Sequence, residues 1–435
     1  MSSKEKLVLI GAGSLQFGLS SVGNMLESKV LEGSTICLHD INAETLELTY
    51  RACQSAIDEK KLDFTLEYTI DRTDALKNAT FIINAIEVAP RFKLLDLDYR
   101  IPQEFGCKQI TGENGGPGGL FHSLRVIPPI LDICEDVHKI CPNALFINFS
   151  NPMSRICLAI KRKYPSLKFV GLCHEFQHFI GLVSRILGTP LSNLEIIGAG
   201  LNHFGNILDI KYKDNGSDAY PDLRKKGPEF LRNIITYDGF KLIAFLLETY
   251  AYCPYTTDSH YGEYVHWAWE YSDIPAVRRF WRQYEGYLVI GYNKTRRLIE
   301  KGKGARLVKP DEESAIPIIE GIITDSNHIE PSVNIPNDGI ITNLPEDSVI
   351  ECPAIINKDG LKGVYLGEYP KSIAALLQAQ ISVQDLVVEA IFKKSKDIAL
   401  QALLADPVVE TYWQAKSILD ELLRMEADYI QIELE

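Results

Sequence analysis

Lys6-Leu7-Val8-Leu9-Ile10-Gly11-Ala12-Gly13-Ser14 decides the fold. A short apolar run stops on a glycine turn that opens a helical stretch over 15–26. That order lets backbone amides approach a pyrophosphate at a helix amino terminus. Gly18 falls two residues late for the usual Gly-x-Gly-x-x-Gly spacing, so the turn alone also suits a bare structural bend. Asp40 ends the second apolar run 22 residues after Gly18, where an acid binds ribose hydroxyls and favours NAD over NADP. Its other use is as the N-cap of the helix that follows.

Working outward, residues 6–10, 35–39, 64–69, 80–85 and 144–148 read as strands. They alternate with helices over 15–26, 43–60, 94–105 and 120–140, the last kinked at Pro128-Pro129. The pattern predicts an α/β fold with a Rossmann-like, doubly wound parallel sheet. A further helix (157–163), strand (168–172), helix (175–187) and strand (194–200) carry this NAD-binding domain over 1–195. Beyond it the texture shifts to a strand over 207–212, helices over 275–300, 382–404 and 407–432, and hairpin strands within 332–360. The turns of that hairpin are Pro336-Asn337-Asp338-Gly339 and Asn357-Lys358-Asp359-Gly360. Residues 196–435 are expected to form an intimately packed α+β domain that shares one cleft with the first.

Composition narrows the partners. A net charge of −13 over 435 residues argues against binding nucleic acid or an anionic membrane, which needs clustered Lys and Arg. No signal peptide and no window of roughly 20 apolar residues are expected. The nine cysteines are scattered and odd in number, which fits a reducing cytoplasm.

Polar and reactive residues gather after the apolar runs. Asn84-Ala85-Ile86-Glu87 and Asn148-Phe149-Ser150-Asn151-Pro152 follow the fourth and fifth strands, at the carboxyl ends where such sheets bind ligands. Asn before Pro is equally a turn signal. Cys173 and His203 also close strands and should converge above the sheet. Alone, each reads as a core residue, and the neighbouring His174, Glu175 and His178 add possible ligands. Glu113 sits in the glycine-rich loop 111–119, where a carboxyl suits general-acid work or simply the start of a helix. The segment Tyr255 to Tyr264 crowds ionisable and phenolic groups, and spacing does not say which of them acts.

These stretches together resemble the NAD- and manganese-dependent glycosidases of glycoside hydrolase family 4, over essentially the whole chain. The resemblance rests on Gly11 to Ser14, Gly112 to Gly119 with Leu124-Arg125-Val126-Ile127-Pro128, Asn151-Pro152-Met153, Gly171 to Glu175, Gly200 to Phe204, and Val333 to Gly339. It implies a cycle in which NAD takes a hydride from C3 of the sugar, a base removes the C2 proton and the glycosidic oxygen leaves C1. Water then adds and the hydride returns. It implies Cys173 and His203 as ligands of Mn2+, although thiolates more often select zinc or iron. Glu113 becomes the general acid, Tyr261 ahead of Tyr264 the base, and Asp258 a competing acid or base, with His260 assisting the metal site. Gly11, Gly13, Ser14, Asp40 and Glu87 would contact NAD, and Asn151, His174 and Asn202 the sugar. Cys-His at 173–174 resembles the members acting on unphosphorylated sugars, α-glucosides foremost. An α-galactoside or α-uronide stays open, and so does a net NAD-dependent dehydrogenase of a sugar or hydroxy acid. Family members suggest a homodimer or homotetramer.

Overall fold

A computed structural model of the chain describes residues 4–15, 17–234, 238–311 and 313–435. Six parallel strands make the first half of its sheet: β1 (Lys6–Ile10), β2 (Thr35–His39), β3 (Thr65–Thr69), β4 (Phe81–Asn84), β5 (Leu145–Asn148) and β6 (Lys168–Gly171). Their order is β3-β2-β1-β4-β5-β6, that of the doubly wound dinucleotide folds, with the reversal between β1 and β4. Five antiparallel strands extend the same sheet: β7 (Leu194–Leu201), β8 (Phe204–Tyr212), β9 (His328–Pro336), β10 (Val349–Asn357) and β11 (Gly360–Gly363). Sequence alternation sets the two faces. Leu7, Leu9, Ile36 and Leu38 point into one apolar core with helices Phe17–Glu27, Ala43–Lys60 and Glu175–Leu187. Val8, Ile10, Cys37 and Ile82 point into another, with Gly116–Ile140, Met153–Lys163 and the carboxyl-terminal helices.

Several expectations shift. The strand over 194–200 is expected to carry on the NAD-binding domain beyond 168–172. Instead β7 lies three places from β6, because β9 and β10 pair in between. The 15–26 helix begins at Phe17, with residue 16 outside the described residues. Helix Gly116–Ile140 is one element that carries Pro128 and Pro129 inside it. The expected helix 382–404 is two, Lys371–Lys393 and Lys396–Ala405. Lys394 breaks them with φ of 52° and Ser395 caps the second by accepting from Ile398 N–H, so no Gly or Pro marks the break. The expected helix 407–432 is the shorter Tyr412–Met425, begun by the Thr411 cap. Helix Lys371–Lys393 is long and apolar enough to cross a membrane by composition, but half of that stretch is buried inside the protein.

The sheet's geometry places the site. The carboxyl ends of β1, β2, β4, β5 and β6 deliver Gly11, Asp40, Glu87, Asn151 and Cys173 to one edge. The pairs Gly171↔Asn334 (β6–β9) and Glu351↔Gly200 (β10–β7) tie the second half on, so the β7–β8 turn swings His203 towards Cys173.

Candidate active site

A cavity of about 1520 Å³ opens along that edge. Gly11, Ser14, Asp40, Glu87, Glu113, Asn151, Cys173, His174 and His203 all line it. A second cavity, of about 1420 Å³, lies at the opposite end of the parallel strands and holds none of these residues.

One end of the main cavity is built from backbone. Gly11 has φ of 90°, and a Cβ there would stand 2.6 Å from the Ala85 carbonyl oxygen. Asp40 accepts from Gly13 N–H at 2.8 Å and, with its other oxygen, from Asn42 N–H at 2.8 Å. Asp40 therefore braces the turn, and Asn42 takes the N-cap place of the following helix. The late Gly18 has its own use. A Cβ on it would strike the Ala12 carbonyl, so it lets the helix pack close against the turn.

The other end is built from buried side chains. Cys173 follows β6. Asn202 and His203 form the two-residue turn between β7 and β8, and His203 takes φ of 61°, rare for a residue other than glycine. His203 Nε2 stands 3.4 Å from Cys173 Sγ and 3.9 Å from Glu175 Oε2. Among the described residues, Cys173, Glu175 and His203 form the one group of three such donors whose ligand atoms lie within 4.8 Å of one another. Burial, with Glu175 and Glu351 nearby, pushes the Cys173 thiol well up, and burial, with His260 and His174, drives the His203 imidazole well down. A thiol and a neutral ring that shed or lack protons for a cation couple its binding to proton release. Asn114 Nδ2 lies 3.0 Å from His203 Nδ1, while Asn114 Oδ1 is buried without a partner. A cation on Nε2 needs Nδ1–H to find an acceptor, and turning the Asn114 amide supplies one.

Glu113 accepts from Arg91 at 3.0 Å. Its loop is gripped from below by Glu263, whose carboxylate accepts from the Thr111 hydroxyl, from Glu113 N–H at 2.9 Å, and from Asn114 and Gly115 N–H at 2.8 Å each. Glu87 meets His122 at 3.3 Å and Arg91 at 3.6 Å. Burial works against its charge, but His122 and Arg91 outweigh burial and hold the carboxyl at about 2. The half-exposed His174 meets Glu313 at 3.4 Å. Three buried acceptors on cavity-lining residues have no partner: Asn151 Oδ1, Glu175 Oε2 and Asp238 Oδ1. Such atoms suit a ligand rich in hydroxyl donors.

Three expected site residues face elsewhere. Asp258 lies outside the cavity lining. It accepts from Lys241, Leu242, Ile243 and Asp273 N–H, which makes it the anchor of helix Lys241–Tyr250. Tyr261 is 1% exposed, with its ring 4.5 Å from that of Phe204, and burial pushes its phenol far up. Asn202 turns inward and donates to Glu351 at 2.9 Å. None of the three lines the cavity, neither Asp258 and Tyr261, expected as acid or base, nor Asn202, expected at the sugar. From the same dense segment it is His260 that lines the cavity, its ring 4.1 Å from that of His203. Thr257 and Ser259 hydroxyls both donate to Asp238 at 2.6 Å, so the Ser259 oxygen is left to accept from His260 Nδ1–H at 2.8 Å. In the neutral form of the ring Nε2 is then the proton acceptor. Burial opposes charge on this ring, but Glu175, Asp238, Glu113 and Glu263 outweigh burial and raise it to about 8. Arg91, His122 and Glu351 carry no signal in the sequence, because each reaches the site from a distant segment with no local spacing to mark it, whereas Glu263 belongs to the dense segment 255–264 and acts by gripping the loop of Glu113.

The family model described as family 4 glycosyl hydrolase matches residues 6–189, and the model of its C-terminal domain matches 198–409. An alpha-glucosidase of Erwinia rhapontici is 42% identical over 437 residues, covering 93% of this chain and 94% of that protein. An alpha-galactosidase of Bacillus subtilis (strain 168) is 29% identical, covering 98% and 99%. The solved 6-phospho-alpha-glucosidase from gut microorganisms, in complex with NAD and Mn2+, shares the fold with a TM-score of 0.85 at 22% identity and full coverage of both chains. Together these place the chain in the family 4 glycosyl hydrolases.

Proposed function

We propose that the protein hydrolyses an unphosphorylated α-glycoside, an α-glucoside foremost, with NAD and Mn2+ as resident cofactors. The observation that carries this reading is one cavity joining the Gly11–Asp40 turn to the Cys173–His203 cluster, with unpartnered acceptors between. The relatives add an alpha-glucosidase at 42% identity.

Gly11, Gly13 and Ser14 would hold the pyrophosphate of NAD, Asp40 its ribose and Glu87 its inner end, while Cys173 and His203 would hold the cation. When bound, the dinucleotide supplies reversible hydride transfer and the cation steadies negative charge on sugar oxygens. Asn151 accepts a sugar hydroxyl through Oδ1, with His174 nearby at the rim. His260, through Nε2, takes the place expected for Tyr261 and Asp258 as the group that removes a proton, while Ser259 and Asp238 fix its ring. Glu113, oriented by Arg91 and the loop that Glu263 grips, serves the leaving oxygen. Of the three arginines lining the cavity, Arg91 is engaged by Glu87 and Glu113 and Arg72 by Asp136, while Arg185 lies exposed against Phe230. That favours a neutral sugar over a phosphorylated one.

The nine free cysteines support a reducing cytoplasm. A homodimer or homotetramer is part of the same proposal, supported by Tyr287, Val289 and Ile290, each at least half exposed on helix Ile274–Glu300.

The test incubates the protein with an aryl α-glucoside, NAD, Mn2+ and a thiol reductant in D2O. Phenolate release without accumulating NADH, and deuterium at C2 of the product, is the expected result. Stoichiometric NADH growth would establish a dehydrogenase instead. Silence on aryl α-glucosides with activity on the 6-phosphorylated ones would overturn the neutral-sugar assignment.

A further inference from the structure

We infer that Glu175 is a third protein ligand of the divalent cation, completing a sulfur, nitrogen and oxygen donor set. This rests on the reading of Cys173 and His203 as cation ligands. The two oxygens of Glu175 have separate surroundings. Oε1 accepts from the Thr256 hydroxyl at 2.5 Å, which fixes the carboxylate plane. Oε2 is buried, has no partner, and stands 3.9 Å from His203 Nε2, itself 3.4 Å from Cys173 Sγ. Donor atoms that each lie about 2.0–2.3 Å from one ion stand about 3–4 Å from one another. The two distances from His203 Nε2 are already at that spacing, and all three donor atoms lie within 4.8 Å of one another.

Chain geometry explains why. Cys173 and Glu175 straddle the turn from β6 into helix Glu175–Leu187, with Glu175 as that helix's first residue. The β7–β8 turn brings His203 across from the far side of the sheet.

Donor chemistry points the same way. A thiolate and an imidazole alone suit zinc, whereas a carboxylate oxygen is the donor that manganese prefers. Thiolate and carboxylate together also match the two positive charges of the ion, so neither is left as an uncompensated buried charge. The competing use of Oε2 is to accept a sugar hydroxyl. Glu175→Gln separates the two, because glutamine keeps an acceptor oxygen at the same reach but loses the charge.

The experiment titrates Mn2+ alone into the metal-free full-length protein, reading free Mn2+ by electron paramagnetic resonance, with NAD affinity followed in parallel by fluorescence. Glu175→Gln is expected to weaken Mn2+ at least about 10-fold and Zn2+ by less, with NAD affinity held within about two-fold. Glu175→Asp keeps the charge at shorter reach and should recover part of the loss. An unchanged Mn2+ affinity in Glu175→Gln, with loss of turnover alone, would overturn the inference and assign the carboxylate to the sugar. Cys173→Ser and His203→Ala run alongside. If both bind Mn2+ as the parent does, the two-ligand reading fails and takes this inference with it.

Discussion

The two ends of the cavity are made of different materials. Around Gly11 and Asp40, consecutive short segments fold against one another through backbone amides, with one partly exposed carboxylate bracing them. Around Cys173 and His203, side chains arrive from residues 113–114, 173–175, 203 and 256–260. They are buried, their proton equilibria are displaced, and a further layer from Glu263 and Glu351 holds them. A site of backbone tolerates most side-chain changes but no new Cβ, whereas a site of buried donors fails with any one of them.

That contrast can be broken most forcefully at Cys173. Cys173→Ser is expected to cut hydrolysis about 10³-fold or more, equivalent to about 4 kcal/mol, while NAD affinity stays within a few-fold. Parallel loss of NAD binding in a fluorescence titration would show that the two ends are not separable. Next in size is Gly11→Ala. The positive φ and the Ala85 carbonyl 2.6 Å from a new Cβ should weaken NAD about 10²-fold, near 2.7 kcal/mol, with Mn2+ affinity unchanged. An alanine variant that binds NAD normally would mean that the turn is only a bend.

The smallest effect concerns Glu87, which lies between the two ends. Its carboxyl is held down from 4.5 to about 2, so the folded state gains stability that is complete above about pH 4.5 and is lost as pH falls towards 2. At about 1.4 kcal/mol per unit the gain has a ceiling of about 3 kcal/mol. With the side chain 30% exposed, about 2 kcal/mol is expected. Urea unfolding should therefore find Glu87→Gln less stable than the parent by that amount at pH 7 and equal to it near pH 2. A difference that persists at pH 2 would reflect packing rather than charge.

The same contrast explains what could be read from the sequence. Strands 6–10 and 35–39 and helix 43–60 stand where the periodicity puts them, because local alternation and glycine chemistry decide them. The place of β7 was not legible, since only the distant β9 and β10 determine which strand lies beside it. Within the site, Cys173 and His203 could be paired through motif resemblance, and they do meet. Asp258 and Tyr261 looked chemical because they share a dense segment with His260. A single helical turn, Asp258–Tyr261, then sends His260 to the cavity, Asp258 to a helix start and Tyr261 to the core. Spacing alone does not say which way a one-turn helix faces.

The turn that carries His203 has one more consequence, for how the protein can change. Its backbone sits where a glycine rests at ease and a residue with a Cβ is strained by roughly 1–2 kcal/mol. Selection for heat tolerance alone would drift towards glycine and discard the ring. Directed evolution of this scaffold therefore has to score catalysis and melting together, because melting alone selects against the imidazole proposed to hold the cation.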